Sequence, residues 1–173
     1  MDDRQWVRAA LEQYEQPLIN YTTHLLGDAE RARDVVQDAF LRLCRQDRSA
    51  VEGHLAQWLY TVCRNRAFDV RRKEKKMTNM STEQAMRQPS RGGDHTTETE
   101  NRDVVERVYA ILEGFSENQR EVIRLKFQHG MSYREISEIS KITSLSISNV
   151  GFVIHTALER VRQKMGVSGP ATN

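Results

Sequence analysis

The chain has 173 residues, of which 38% are hydrophobic and 29% charged, with only 9 Gly and 3 Pro, and its formal net charge is +2. This composition is typical of globular proteins and excludes fibrous, collagen-like and wholly disordered classes. No run of residues reaches the roughly 18 consecutive apolar positions that a membrane span requires, and the opening MDDRQW is acidic where a secretory signal would be basic. We therefore expect a cytoplasmic protein.

The small net charge conceals an uneven distribution. When Lys and Arg are counted against Asp and Glu, the net charge is −3 over residues 1–44, +5 over 45–77, −2 over 78–103 and +2 over 104–173. An acidic block followed directly by a basic block indicates two different partners for neighbouring surfaces.

Residues 1–77 show apolar side chains at helical spacing and no strand alternation, which predicts a small all-α domain. One apolar stripe comprises Val35, Val36, Ala39, Phe40 and Leu43, and a second comprises Leu55, Trp58, Leu59, Val62, Cys63 and Val70. The two cysteines, Cys44 and Cys63, lie among such residues, so we expect free, buried thiols rather than a disulfide or a metal site.

The helix ARDVVQDAFLRLCRQ has a polar side formed by Asp34, Gln37, Asp38 and Arg42. Such a face is a solvated surface, a docking site for a basic partner helix, or, if the carboxylates lay in a cleft, a pair of acid–base groups. No phosphate loop, HExxH or GxSxG motif accompanies it, so we expect no catalytic centre and no cofactor.

The run WLYTVCRNRAFDVRRKEKK continues one predicted helix from apolar packing into a cationic end. Cations beside aromatic rings form the usual binding surface for single-stranded nucleic acid, whereas a solvated basic face is the simpler alternative. The rings of Tyr60 and Phe68 are predicted to lie on or near the same side as the polar residues that lie off its apolar stripe. These polar residues are Arg64, Asn65, Arg71, Arg72, Lys73, Lys75 and Lys76.

Residues 78–103 contain no Leu, Ile, Val or aromatic side chain but include Pro89, Gly92 and Gly93, which predicts a flexible linker. A second all-α domain is predicted over residues 104–167, followed by a polar tail at 168–173. Its expected helices cover Val104–Leu112, Glu117–Gln128, Tyr133 to about Ile142, and a long helix from Ser146. Ser116 with Gln119 and Ser132 with Glu135 fit the capping box.

A short helix, a turn and a longer helix form the pattern of a helix-turn-helix, whose second helix enters the major groove of DNA. A plain helical bundle with one polar face is the alternative. The outward positions predicted on the long helix are Ser146, Ser148, Asn149, Phe152, His155, Thr156, Glu159 and Arg160.

Taken in chain order, these segments resemble the bacterial extracytoplasmic-function (ECF) sigma factors of the sigma-70 superfamily. ARDVVQDAFLRLCR is similar to their helix that binds core RNA polymerase, WLYTVCRNRAFDVRR to their minus-ten and melting segment, and FSENQREVIRLKFQHGMSYREIS with SNVGFVIHTALERVR to their minus-thirty-five reader. The resemblance implies a non-enzymatic subunit that confers promoter choice on core polymerase and that an anti-sigma factor can restrain.

The resemblance also implies roles for individual residues and for the loop Gln46–His54, which corresponds to the loop that holds a flipped base. It implies polymerase contacts by Asp34, Gln37, Asp38, Phe40 and Arg42. It implies minus-ten contacts by Tyr60, Arg64, Asn65, Phe68, Arg71 and Arg72, and duplex contacts by Tyr133, Arg134, Ser146, Ser148, Asn149, Phe152 and His155.

Three positions depart from the family pattern, because Gly151, Val153 and Thr156 stand where relatives often have Lys or Arg. We therefore expect weak duplex binding by the second domain. The functional alternatives are a free-standing helix-turn-helix regulator that binds duplex DNA without polymerase, a protein-interaction module without a DNA role, and a nuclease using Asp34 and Asp38.

Overall fold

The computed structural model describes residues 2–80, 99–139 and 146–166, and within these ranges the secondary structure is helical without a strand. This agrees with the predicted all-α class. The chain forms two compact units that divide between Gly93 and Asp94. The predicted tail at 168–173, most of the predicted linker and the predicted helix end near Ile142 lie outside the described residues.

The first unit consists of α1 (Asp3–Leu26), α2 (Ala29–Leu43), α3 (Arg48–Val51), a single 3-10 turn (Glu52–His54) and α4 (Leu55–Met80). Helix α1 ends at Gly27, whose φ of 70° is the left-handed conformation that glycine adopts without steric cost. The carboxylate of Asp28 then accepts the amide hydrogens of Glu30 and Arg31, which fixes the start of α2 one residue later.

Helices α1, α2 and α4 pack against one another around an apolar core. The rings of Tyr21 on α1 and Tyr60 on α4 meet with centroids 5.0 Å apart and an interplanar angle of 54°, a favourable tilted arrangement. Leu18, Leu43, Leu59 and Cys63 complete the centre of the core and are fully buried. The core therefore holds α2 and α4 side by side, with their polar faces outward.

The second unit consists of α5 (Thr99–Glu113), α6 (Glu117–Phe127), α7 (Tyr133–Ile139) and α8 (Ile147–Met165). Both predicted capping boxes are present: Ser116 and Gln119 exchange side-chain and backbone hydrogen bonds, and so do Ser132 and Glu135. Between them Gly130 has a φ of 66°, which permits the sharp turn from α6 to α7. Three helix starts are thereby set by local sequence, the third being Ser146 at α8.

Two boundary predictions were wrong. Helix α4 continues through Met80 and α5 begins at Thr99, so both ends of the predicted linker, residues 78–80 and 99–103, are helical. A polar composition does not prevent a helical turn that extends a helix already formed.

Helical spacing in the sequence predicts one apolar stripe on α8, and the core of the second unit differs from it at three positions. The predicted stripe is Ile147, Val150, Ile154, Ala157, Leu158, Val161 and Met165. Ile147 and Leu158 are exposed, whereas Val153, which is not in the stripe, is buried. The buried residues of α8 are Val150, Val153, Ile154 and Ala157. A cation at position 153 would not face solvent, so the expected lack of phosphate contacts is confined to Gly151 and Thr156.

Candidate nucleic-acid and protein interfaces

The polar face of α2 is exposed over most of its length. Asp34, Gln37 and Arg42 are exposed and Asp38 is half-buried, with the apolar side chain of Leu41 exposed among them. Phe40 is buried in the core. The residues predicted to contact polymerase therefore form one surface, except for Phe40, which packs in the core on the opposite side of the helix.

Ion pairs join this face of α2 to α4. Arg66 Nε lies 3.2 Å from Asp38 Oδ2, with side-chain exposures of 34% and 46%, and Arg31 pairs with Glu74. The two pairs flank a shallow groove of about 270 Å³ whose floor includes Val35 and Val70. Arg66 was not among the predicted site residues, although Arg66, Val70 and Glu74 recur every four residues and so share one face of α4.

The prediction that Arg64 lies off the apolar stripe of α4, with a face of the Tyr60 ring on or near the same side, was wrong. Tyr60 is 2% exposed and Arg64 only 1%, so both belong to the core-facing half of the helix. Burial raises the pKa of the Tyr60 hydroxyl well above its usual range, and the phenol stays neutral. Neither side chain offers an exposed surface to a nucleic acid.

Arg64 instead begins a stack of cations on an aromatic ring. Its guanidinium lies 4.5 Å from the centroid of the Phe68 ring, and the guanidinium of Arg71 lies 5.5 Å from the same centroid. Positions 64, 68 and 71 are one helical turn apart, so helical spacing alone brings them together. Cation–π contacts of this kind orient a guanidinium flat against the ring and fix its remaining donors.

Beyond the stack, α4 carries a run of cations into solvent. Lys73, Lys75 and Lys76 are exposed, and Arg72 is exposed beside Asp69, 2.6 Å from its carboxylate. Nearer the core, Asn65 is half-buried, and its Oδ1 atom accepts no hydrogen bond from any described residue. The helix thus changes from a core element to a cationic one over about two turns.

In the segment Gln46–His54, which was predicted to be a loop, residues 48–54 form two consecutive short helical turns. Asp47 caps α3 by accepting the amide of Ser49 at 3.0 Å, and Val51 is buried. Arg48 pairs with Glu52 at 2.5 Å and lies 5.6 Å from the centroid of the Trp6 ring on α1. These contacts fix the segment against the start of α1.

In the second unit, Tyr133 at the start of α7 is 40% exposed and lies close to two neighbouring residues. Lys126 Nζ lies 5.2 Å from the centroid of its ring, and a Cβ placed on Gly151 of α8 would lie 3.6 Å from Tyr133 Cε2. Arg134 beside it is exposed. Tyr133 thus partly covers the α7–α8 contact, while Arg134 faces solvent.

The outward face of α8 has the exposure predicted for it. Ser148, Asn149 and His155 are exposed, and Phe152 is 68% exposed. The hydroxyl of Ser146 accepts the amide hydrogen of Asn149 at 3.2 Å, so Ser146 acts first as the helix cap. His155 Nε2 lies 3.3 Å from Glu159 one turn later.

The cysteines differ in environment. Cys63 is buried as predicted, and burial raises the pKa of its thiol to about 12. Cys44 is exposed, so the prediction of two buried thiols was wrong for it, because it follows the last residue of α2 and points away from the core. Among the described residues, no group of three or more His, Cys, Asp or Glu side chains is placed to hold a metal ion.

Within residues 2–80, 99–139 and 146–166, no helix is long and apolar enough to cross a bilayer.

Residues 10–77, which extend from α1 to near the end of α4, match the family described as Sigma-70 region 2.

Similar proteins from bacteria extend the match along the chain. The ECF RNA polymerase sigma factor SigL of Mycobacterium tuberculosis is 28% identical over 167 residues, covering 94% of this chain and 92% of that protein. SigX of Bacillus subtilis, also an ECF RNA polymerase sigma factor, is 26% identical over 161 residues, covering 88% of this chain and 79% of its own.

A solved structure shares the fold. The sigma factor RpoE from Bartonella quintana, solved in complex with the anti-sigma factor NepR, superposes with a TM-score of 0.59 and 21% identity. The superposition covers 94% of this chain and 98% of that one.

Proposed function

Because this chain belongs to the ECF sigma factors of the sigma-70 superfamily, we propose that it binds core RNA polymerase and directs promoter-specific initiation of transcription. In this proposal the exposed face of α2 docks on polymerase, the distal half of α4 captures the melted minus-ten strand, and α8 recognises the minus-thirty-five duplex.

The observation that carries the proposal is the change of character along α4. Its first half packs in the core beside α2, and its second half presents Arg71, Arg72 and the lysines beside the Phe68 ring. Cations next to an aromatic edge suit a single strand, whose phosphates and bases are both accessible.

The acidic face of α2 supports a docking role for a related reason. Its exposed carboxylate, Asp34, forms no ion pair with any described residue, and exposed Leu41 lies on the same helix. Apolar side chains surrounded by polar ones are typical of protein contacts. A partner with complementary basic charge would satisfy Asp34 and cover Leu41 together.

Energetics require such a partner. Separating DNA strands costs roughly 1.4 kcal/mol per base-pair step, so a bubble of about ten steps costs on the order of 14 kcal/mol. Stacking one captured base returns only about 1 to 3 kcal/mol. A small chain without a nucleotide-hydrolysis motif does not supply the difference, whereas core polymerase does, which is the physical reason for coupling a docking face to a strand-capturing helix.

The proposal includes a non-catalytic role and a cytoplasmic site of action, where polymerase and promoters are found. Asp34 and Asp38 do not form an acid–base pair in a closed cleft, because the groove beside them is shallow and Asp38 is committed to Arg66. This arrangement favours docking over the nuclease alternative.

Run-off transcription with purified core polymerase tests the proposal directly. We expect a promoter-dependent product only when this chain and core are both present, and co-elution of the two by size-exclusion chromatography. Asp34→Ala is the docking variant, and Glu12→Ala on exposed α1 is its charge-matched control. Specific duplex binding by the chain alone, without a polymerase complex, would instead establish the free-standing regulator.

We also propose an anti-sigma factor as a second partner, because the fold extends over 94% of this chain onto a sigma factor that was solved with one. Mass spectrometry of proteins that co-purify with the tagged chain from its own host tests this. Recovery of polymerase subunits with no stoichiometric additional protein, under any growth condition tried, would contradict it.

A further inference from the structure

The most exposed aromatic ring of the described second unit lies in the middle of the outward face of α8. Phe152 is 68% exposed, on a helix whose opposite face is fully buried at Val150 and Ile154. Positions 148, 152, 155 and 159 lie on one side of the helix, and Phe152 is central among them. The ring is therefore accessible to a base at the centre of a predicted DNA-contacting face.

The same face lacks cations over its first three turns. From Ser146 to Glu159 the exposed positions carry hydroxyl, amide, imidazole, carboxylate and apolar groups, and the first cation of α8 is Arg160. Arg160 is held away from this face, since its guanidinium lies 4.5 Å from the centroid of the Phe115 ring. The bidentate contact of Arg or Lys with guanine, which is the commonest specific contact in the major groove, has no donor here.

The amide and apolar side chains on this face of α8 suit an A·T base pair. An asparagine amide pairs with the N6 and N7 positions of adenine, and an apolar side chain packs on the C5 methyl group of thymine. Asn149 and Phe152 are three residues apart, so they are separated by about 4.5 Å along the helix, close to the spacing of about 3.4 Å between successive base pairs. The two side chains can therefore address neighbouring pairs.

We infer that Phe152 is a specificity-determining residue that packs against the C5 methyl group of a thymine in the upstream promoter element, with Asn149 bonded to an adenine beside it. This inference rests on the proposed sigma-factor function and adds the class of duplex that α8 selects, which is one with adjacent A·T pairs rather than a guanine at its centre. The contact is apolar, so discrimination arises from the methyl group and not from charge.

Selection followed by removal of a single methyl group tests the inference. Holoenzyme assembled from core polymerase and the full chain transcribes a library with a randomised upstream element, and the enriched templates are sequenced. Each enriched thymine is then replaced by deoxyuridine, which lacks only the C5 methyl group. We expect enriched A·T pairs and about a fourfold loss of promoter affinity at one thymine, the equivalent of one buried carbon of about 0.8 kcal/mol.

The variants assign the effect to one ring. Phe152→Ala should abolish the difference between thymine and deoxyuridine, and Phe152→Leu should retain part of it. Phe127→Ala, at the exposed end of α6 and 55% exposed, is the matched control and should leave the difference unchanged. Thermal melting checks that each variant is folded, which is expected because both rings are mainly in solvent.

The outcomes separate the inference from the function on which it rests. Promoter-dependent transcription with enriched G·C pairs, a silent deoxyuridine substitution, or a methyl effect that persists in Phe152→Ala would overturn the inference and leave the sigma-factor function in place. No promoter-dependent product from any template would overturn both.

Discussion

Helices α4 and α8 both carry candidate DNA-contacting faces, but they place aromatic and cationic groups in opposite ways. On α4 the Phe68 ring is covered by two guanidinium groups and the cations continue into solvent. On α8 the Phe152 ring is bare, and the nearest cation of the helix, Arg160, stacks on Phe115 instead. We therefore expect α4 to attract phosphates and α8 to contact base edges.

If both faces bind DNA as proposed, we expect the two units to obtain affinity and specificity from different physical sources. A cationic strand-binding surface should respond strongly to salt, because each phosphate contact releases condensed counterions. A face of amide, hydroxyl and apolar groups should respond to base identity and only weakly to salt. Substitutions on each helix can therefore test whether α4 responds mainly to salt and α8 mainly to base identity.

The largest effect is expected where an aromatic ring of α4 is structural rather than exposed. Tyr60→Ala should lower the free energy of unfolding of the first unit by about 3–5 kcal/mol, because it leaves a cavity beside Tyr21. Phe152→Ala should change stability by no more than about 0.5 kcal/mol, as for other surface positions. Urea denaturation followed by circular dichroism measures both, and equal losses would show that the two rings do not differ in burial.

Adding cations to α8 should make it resemble α4. Gly151→Lys with Thr156→Lys should steepen the salt dependence of log affinity for duplex by about 0.9 for each new phosphate contact. Over the range 50 to 200 mM salt this amounts to about a tenfold change, measured by fluorescence anisotropy of the holoenzyme on an upstream duplex. The Cβ at position 151 meets Tyr133 at an ordinary 3.6 Å, so the fold should tolerate it. An unchanged slope would place this face away from phosphates.

Removing cations from α4 should make its affinity for single-stranded DNA less dependent on salt. Arg71→Ala with Arg72→Ala should flatten the salt dependence of log affinity by about 0.7 for each phosphate that is no longer neutralised. The measurement is anisotropy of the holoenzyme on a minus-ten oligonucleotide, with Arg8→Ala on α1 as the control for loss of a surface cation. A slope that stays the same in the α4 variant would remove this helix from the strand-binding surface.

The docking face should respond unequally at its two carboxylates. Asp34→Ala should weaken binding to core polymerase by about fivefold, as expected for loss of one exposed ion pair of about 1 kcal/mol. Asp38→Ala should cost less, because Asp38 is already paired with Arg66 within the chain. Surface plasmon resonance with immobilised core measures both, and a larger loss at Asp38 would mean that its pair with Arg66 opens on binding.

The smallest effect is expected at the buried thiol. The raised pKa of Cys63, about 12, means that it stays protonated until strongly alkaline pH, since burial disfavours the thiolate. Iodoacetamide at pH 8 should therefore label Cys44 alone, and mass spectrometry should find one adduct. The stabilising burial of the neutral thiol is complete below the pKa of an unfolded cysteine and is lost as the pH rises toward 12. Rapid labelling of both thiols at pH 8 would contradict this.

Local sequence predicted the features that local contacts determine. The two capping boxes, the start of α8 at Ser146 and the exposure of Asn149 and Phe152 depend on residues within one or two turns, and the helical period reports them. The all-α class follows from the same period.

Features that depend on neighbouring helices were not predictable in this way. The burial of Tyr60 and Arg64 depends on where α1 lies, and the Asp38–Arg66 pair joins two helices far apart in sequence. A tyrosine or arginine also has an apolar body that can pack inward while its tip remains polar, so residue type alone does not decide its face. The burial of Val153 and the exposure of Ile147 on α8 likewise depend on how α6 and α7 pack against this helix.

Permanganate footprinting of promoter DNA tests most directly whether this chain couples polymerase docking to strand capture. We expect reactive, unpaired thymines near the start site only when core polymerase and this chain are both present. The variant that carries both Arg71→Ala and Arg72→Ala should give a weaker signal. Equal reactivity with core alone, or protection of a fully paired duplex by this chain without polymerase, would contradict it.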